Sequence, residues 1–376
     1  MTATNAANED WKLLLSFFPP NWKELGQVTE ALKGLRQDKS EENYIRTLLL
    51  HLGCGFSMRE TVVRARQAKL AELSDVALLK RLRKSKDWLY RLCCALFEER
   101  GLVTESASLP TLRLIDATVV KEPGKTGSLW RIHYSLQWPT LVCDYFKITA
   151  TAGTGNGESL RQFPLKPRDY VLVDRGYCHA SGIHYAASRK AYLTVRLNPD
   201  SILLQASDES KFGLLERLKS ITATGQMEQW EILVPYEDHA PVSARLCVVR
   251  KSQTAIALAQ KKLRRYASKH GTQLQPETLV YAQYVMVLTT FPALEFSLQQ
   301  VLEYYRFRWQ IELVFKRFKQ IAQLGHLPKY DQDSAKAWLY GKLFVTLLTE
   351  KLIRHAGAIS PWGYPLAQQT PSQPMA

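Results

Sequence analysis

Two short apolar runs constrain the fold of this 376-residue chain more than any other feature. LRLIDATVV starts at Leu112 and DYVLVDRGY at Asp169, and both read as short buried strands. Each strand ends in an aspartate, Asp116 in the first and Asp174 in the second. A carboxylate at the end of a buried strand is costly unless it is paired or binds something, although either aspartate taken alone could equally be a turn former. WRIHYSLQW and LVCDYFKITA follow the first run and suggest an antiparallel meander. HASGIHYAASRK reads as a helix and AYLTVRLNP as a further strand. Residues 111–200 therefore predict a β-β-β-loop-β-α-β order, an α/β fold on a mixed sheet. The loop, AGTGNGES, holds three glycines but no following Lys-Ser/Thr, so it reads as a flexible connection rather than a phosphate cradle.

A late stretch, YYRFRWQIELVFKRFK from Tyr304 to Lys319, has no Gly or Pro and predicts a helix starting near Ser297. On a helical wheel, Tyr305, Arg308, Glu312, Lys316 and Lys319 share a narrow polar arc. Phe307, Ile311, Val314 and Phe318 flank it on one side, Trp309 and Leu313 on the other. Arg306, Gln310 and Arg317 already make an ordinary wet face on the opposite side. The polar arc therefore points into a cleft, where a solvated ladder of ion pairs fits less well. Asp116, Asp174 and Glu312 together make one acidic site, and three mutually repelling carboxylates call for a cation. Hard oxygen donors with open positions suit Mg²⁺ or Mn²⁺. Two such ions are a standard device for in-line displacement at a phosphodiester.

Charge points to the same class of substrate. Lys and Arg number 50 against 35 Asp and Glu, a net charge of +15 spread over the whole chain. Such a field favours a polyanion, and nucleic acid is the commonest one. No apolar run is long enough to span a bilayer and the first residues do not resemble a signal peptide. The six cysteines show no C-x-x-C spacing, which predicts a reduced, cytoplasmic protein without a structural zinc site.

The rest of the chain divides by periodicity. Residues 1–110 predict helices. In them, Ser57 with Glu60 opens one helix and Ser74 or Asp75 opens a basic second one. That pair suits a helix-turn-helix reader of duplex DNA with Arg81, Arg83 and Lys84 as candidate contacts, although a helical bundle with a solvated basic face has the same pattern. Residues 201–296 read as a separate β-rich insertion, and its one tryptophan, Trp230, is a candidate stacking platform or a core residue. Residues 297–356 return to the catalytic core with an amphipathic second helix, 334–355, and 357–376 form a Pro-containing tail expected to be disordered.

Tyr305, two residues, Arg308, three residues, Glu312, six residues and Lys319 resemble the Y-R-E-K signature of DDE transposases of the insertion-sequence-four family. LIDATVV resembles the family's segment around its first aspartate and VLVDRGY that around its second. The resemblance implies an RNase H-like core in which Asp116, Asp174 and Glu312 form the metal-binding catalytic triad. It also implies that Tyr305, Arg308 and Lys319 hold the transposon-end DNA, with Lys316 beside them. The implied partners are the terminal inverted repeats and target DNA, bound by a homodimer. The implied reaction is cutting and joining, with a hairpin on the element end in several members. About 60 residues follow Glu312, fewer than in the longer members, so no large C-terminal dimerisation domain is expected and helix 334–355 is a candidate for that role. The competing expectations are an RNase H-like endonuclease without strand transfer and a DNA-binding regulator lacking activity.

Overall fold

The computed structural model describes residues 3–35, 40–99, 112–121, 128–138, 142–153, 156–309, 311–312 and 331–358. Helices α1 (Ala3–Ser16), α2 (Trp22–Val28), α3 (Glu41–Leu52), α4 (Met58–Gln67), α5 (Asp75–Lys84) and α6 (Lys86–Glu98) come first. Strands β1 (Leu112–Lys121), β2 (Ser128–Trp138), β3 (Val142–Ala150) and β4 (Tyr170–Val173) follow, then α7 (Ala180–Ser188) and β5 (Tyr192–Arg196). Next come α8 (Leu214–Lys219), β6 (Met227–Tyr236), β7 (His239–Arg250), α9 (Gln253–His270), α10 (Pro276–Tyr281) and β8 (Tyr284–Thr289). Helices α11 (Leu298–Phe307) and α12 (Gln332–Ala358) close the described chain. Among the described residues no helix is long and apolar enough to cross a membrane.

The chain forms two compact units. One comprises Met1–Thr104, Val119–Leu129 and Phe315–Ala376; the other comprises Glu105–Thr118 and Trp130–Val314.

The helical unit is built on aromatic packing. Trp88 is fully buried, stacks between Trp22 and Tyr44, and donates from its indole N–H to the Trp22 carbonyl at 2.8 Å. The two expected cap residues act as caps: Ser57 accepts from the Glu60 N–H and Ser74 from the Ala77 N–H. Glu60 does not complete a capping box, because its carboxylate turns forward to Arg64. Helix α12 packs on α3, α5 and α6. Its Leu339, Leu343 and Leu347, at helical spacing, are buried, and Gly341 lets Leu52 approach where a Cβ would meet it at 2.5 Å. The sequence placed this helix with the catalytic core; its apolar stripe is instead consumed by the N-terminal helices. The helix runs to Ala358, and the rest of the expected tail lies outside the described residues.

The second unit is built around a mixed sheet of eight strands in the order β3-β2-β1-β4-β5-β8-β7-β6. Its centre, β1-β4-β5, is parallel, and antiparallel pairs flank it on both sides. Tyr170–Val173 are all buried, as a central parallel strand covered on both faces requires. The segment expected as a separate insertion therefore contributes to the same sheet: β8 pairs with β5, and β7 and β6 extend from it. β-branched and apolar residues on these strands (Ile232, Val234, Leu246, Val248 and Leu288) belong to one core with Val171, Val173 and Val195.

Candidate active site

The parallel register of β1 and β4 pairs Leu114 with Leu172 and Ile115 with Val173. One residue beyond that ladder come Asp116, still on β1, and Asp174, which follows directly on β4. Asp116 is not a strand end, as β1 continues to Lys121; what ends there is its ladder with β4. Asp174 caps the short 3-10 turn Arg175–Tyr177, and its carboxylate makes no cap hydrogen bond.

Helix α11 leads to the third group, Glu312, which lies just beyond its end. The N-terminus of α11 is fixed by a full capping box between Ser297 and Gln300, and the helix lies over β5, β7 and β8. At Arg308 the backbone tightens: its N–H bonds to the Tyr305 carbonyl at 3.2 Å, an i→i−3 contact. Arg308 then bridges two carboxylates. Its Nη2 donates to Glu312 Oε1 at 2.5 Å, and its Nε lies 3.9 Å from Asp174 Oδ1. Of the expected polar arc, Tyr305 and Arg308 are half-buried, whereas Glu312 is exposed rather than turned into a cleft, and Trp309, placed by the wheel in an apolar sector, is exposed too. Phe307 is half-buried, its ring stacked on Trp138 with centroids 4.5 Å apart.

Electrostatics explain why the site is tense. Burial pushes the Asp116 carboxyl up to about 7; the Ala117 N–H, 2.8 Å away, and the Arg308 charge pull it down, while Asp174 and Glu158 push it further up. Burial likewise raises the Tyr305 phenol. The Tyr305 hydroxyl and Arg308 Nη1 are buried without a well-formed hydrogen bond among the described residues. The donor set fits a hard divalent cation: carboxylate oxygens, one of them strongly desolvated, beside polar atoms left unsatisfied. The set is not drawn together as a finished cage. Among the described residues, no three His, Cys, Asp or Glu side chains converge as metal ligands, and Arg308 holds Glu312.

A cleft of about 580 Å³ opens beside Asp174, lined by Arg175, Arg196, Lys251, Lys262 and Tyr266 among others. Burial and then the neighbouring Arg196 charge lower the Lys251 ammonium pKa. Four basic side chains outnumber the one acidic residue of the lining, Asp200, and they are scattered from 175 to 262, so no local spacing groups them.

Residues 108–348 match the family model of the transposase DDE domain, well over half of the chain. The chain belongs to this family. The putative transposase InsL of insertion sequence element IS186A from Escherichia coli is 29% identical to this transposase over 357 residues, covering 93% of this chain and 95% of that one. The transposase of element IS421 from Escherichia coli is 28% identical, with the same coverage. That of element IS231F from Bacillus thuringiensis is 25% identical over 267 residues, 63% of this chain and 55% of its own length. Among solved structures, the piggyBac transposase synaptic complex with hairpin DNA aligns with 96% of this chain and 86% of that one at 10% identity and a TM-score of 0.40, a likeness too weak to assign a fold.

This transposase is thus of the insertion-sequence type, a DNA-cutting and strand-transferring enzyme of a family that works with divalent metal. Lys316 and Lys319 lie outside the described residues. Three basic residues of α5, Arg81, Arg83 and Lys84, make contacts within the helical unit. Arg81 donates to the Lys33 and Gly34 carbonyls, Lys84 to the Lys33 carbonyl, and Arg83 pairs with Asp331 at 2.7 Å. Trp230 packs partly buried against the core and against the Phe212 ring.

Proposed function

We propose that this transposase belongs to the insertion-sequence-four group, cuts the terminal inverted repeats of its element and joins them to target DNA. The reaction is metal-assisted phosphodiester hydrolysis followed by transesterification on an RNase H-like core. The single observation that carries the reading is the position of Asp116 and Asp174 one residue beyond the parallel β1–β4 ladder, with Arg308 reaching from Asp174 to Glu312.

In this reading Asp116, Asp174 and Glu312 hold two Mg²⁺ or Mn²⁺ ions. When bound, these ions supply activation of the attacking water or 3′-hydroxyl and relief of charge on the leaving oxygen. The chain's own groups bind and orient the DNA. Arg308 Nη1, buried and unused by Asp174 and Glu312, is the donor offered to a phosphate oxygen. The Tyr305 hydroxyl is a second such donor, and Lys316 and Lys319 add positive charge. The cleft of Arg175, Arg196, Lys251 and Lys262 gives the strand leaving Asp174 an electropositive path.

The helix pair α4 and α5 contacts duplex DNA, with any role for Arg81, Arg83 and Lys84 in competition with the contacts these residues already make. A homodimer in the cytoplasm synapses the two ends. Cleavage proceeds through a hairpin on the element end.

Incubation of the full chain with inverted-repeat ends and Mg²⁺, read on a denaturing gel, tests the proposal. Nicks alone indicate an endonuclease, hairpins and joined products the full pathway, and binding without cleavage a regulator.

A further inference from the structure

The glycine-containing loop that reads as a plain connection carries Glu158 against the turn that follows Asp174. A Cβ built on Gly176 would lie 1.7 Å from Glu158 Oε2 and 2.9 Å from its Cδ. The Glu158 carboxylate therefore occupies the space a side chain would take on the turn directly after Asp174. The loop behind it is tethered, because Arg131 Nη1 donates to the Asn156 carbonyl at 2.5 Å. Glu158 makes no ion pair of its own among the described residues. Glu312, by contrast, spends its carboxylate on Arg308.

A second observation is independent of the acidic groups. Tyr177, on the same turn, is 1% exposed, and its hydroxyl has no hydrogen-bond partner among the described residues. That hydroxyl lies in the field of Asp116, Glu158 and Asp174, and burial keeps it a neutral phenol, hence a donor. A buried O–H left without a partner among the described residues, on the turn that follows Asp174, marks a donor kept for a group that a ligand orders.

We infer that Glu158 is a fourth carboxylate of the catalytic centre, turned toward the divalent cation of Asp116 and Asp174, with the Tyr177 hydroxyl as the donor that holds this carboxylate set in place. The inference rests on the proposed metal role of Asp116 and Asp174. It also gives Gly176 a reason: a larger residue there would evict Glu158.

Mn²⁺ titration of the full chain without DNA, followed by the electron paramagnetic resonance of the free ion, tests it. Glu158→Gln and Gly176→Ala should each weaken Mn²⁺ binding about tenfold or more, and Tyr177→Phe less. Glu158→Asp should retain part of the affinity. Melting without metal should be unchanged in Glu158→Gln, because its carboxylate makes no ion pair among the described residues. Asp116→Asn is the reference and should lose binding. Wild-type affinity in Glu158→Gln and Gly176→Ala, with loss in Asp116→Asn, overturns the role of Glu158 alone. Wild-type affinity in Asp116→Asn as well overturns the metal centre beneath it. A lower melting temperature of metal-free Glu158→Gln would make Glu158 a structural residue and also overturn the inference.

Discussion

Asp116 and Asp174 stand one residue beyond Ile115 and Val173, the last pair in the ladder of two parallel strands. Because side chains alternate along a strand, a slip of one residue in that ladder would send one carboxylate to the opposite face of the sheet. The apolar residues that precede them, Leu114 and Ile115 against Leu172 and Val173, are all fully buried and fix the register. The core therefore determines the geometry of the acidic pair.

Arg308 links that pair to Glu312, so its loss should show in DNA binding. Arg308→Ala should weaken binding to element ends and reduce the slope of log affinity against log salt by about one. Fluorescence anisotropy across a salt series measures both. An unchanged slope would remove Arg308 from the phosphate contacts.

Arg113 underpins β1 from the other side. Its buried guanidinium pairs with Asp144 at 2.8 Å and Asp169 at 2.6 Å and donates to the Pro164 carbonyl. Removing one partner of such a set leaves buried charge uncompensated, at a cost of ~3–5 kcal/mol. Arg113→Ala should lower the urea midpoint accordingly, and a change below about 1 kcal/mol would show that the cluster adds little beyond surface pairing.

The helical unit should lose stability in acid through Asp331. Burial raises its carboxyl, but hydrogen bonds from Arg83 and Ser334 outweigh this and hold it well below the usual range. A depressed carboxylate contributes stability that is fully present above its unfolded value, about 3.9, and is lost as pH falls through the folded one. Because the pair is partly exposed, the contribution should stay below about 1 kcal/mol. Asp331→Asn should be less stable than the wild type at pH 6, and the gap should close toward pH 2. A gap independent of pH would show that the carboxylate's charge is not what stabilises the unit.

Much of the site was legible in the sequence, and the reasons are local. Asp116 and Asp174 stood out because charge interrupts a run of buried-strand residues, and Tyr305, Arg308 and Glu312 because helical spacing gathers them on one arc. What local spacing does not carry was missed. Glu158 reaches the site from a loop whose composition says only that it bends, and Gly176 yields the space for it through a tertiary contact. The joining of β8 to β5 depends on pairing across some ninety residues, which hides the unity of the sheet. Arg81 and Lys84 read as free cations, yet both donate to carbonyls of the Lys33–Gly34 turn, about fifty residues earlier in the chain.

The most direct test of the account is DNA cleavage by Glu312→Ala. With inverted-repeat ends and Mg²⁺, the wild type should nick the DNA. The variant should bind the same ends with comparable affinity and cut on the order of 10⁴-fold more slowly, as expected when one member of a catalytic unit is removed. Robust cleavage by Glu312→Ala would contradict the assignment of this carboxylate, with Asp116 and Asp174, to the catalytic centre.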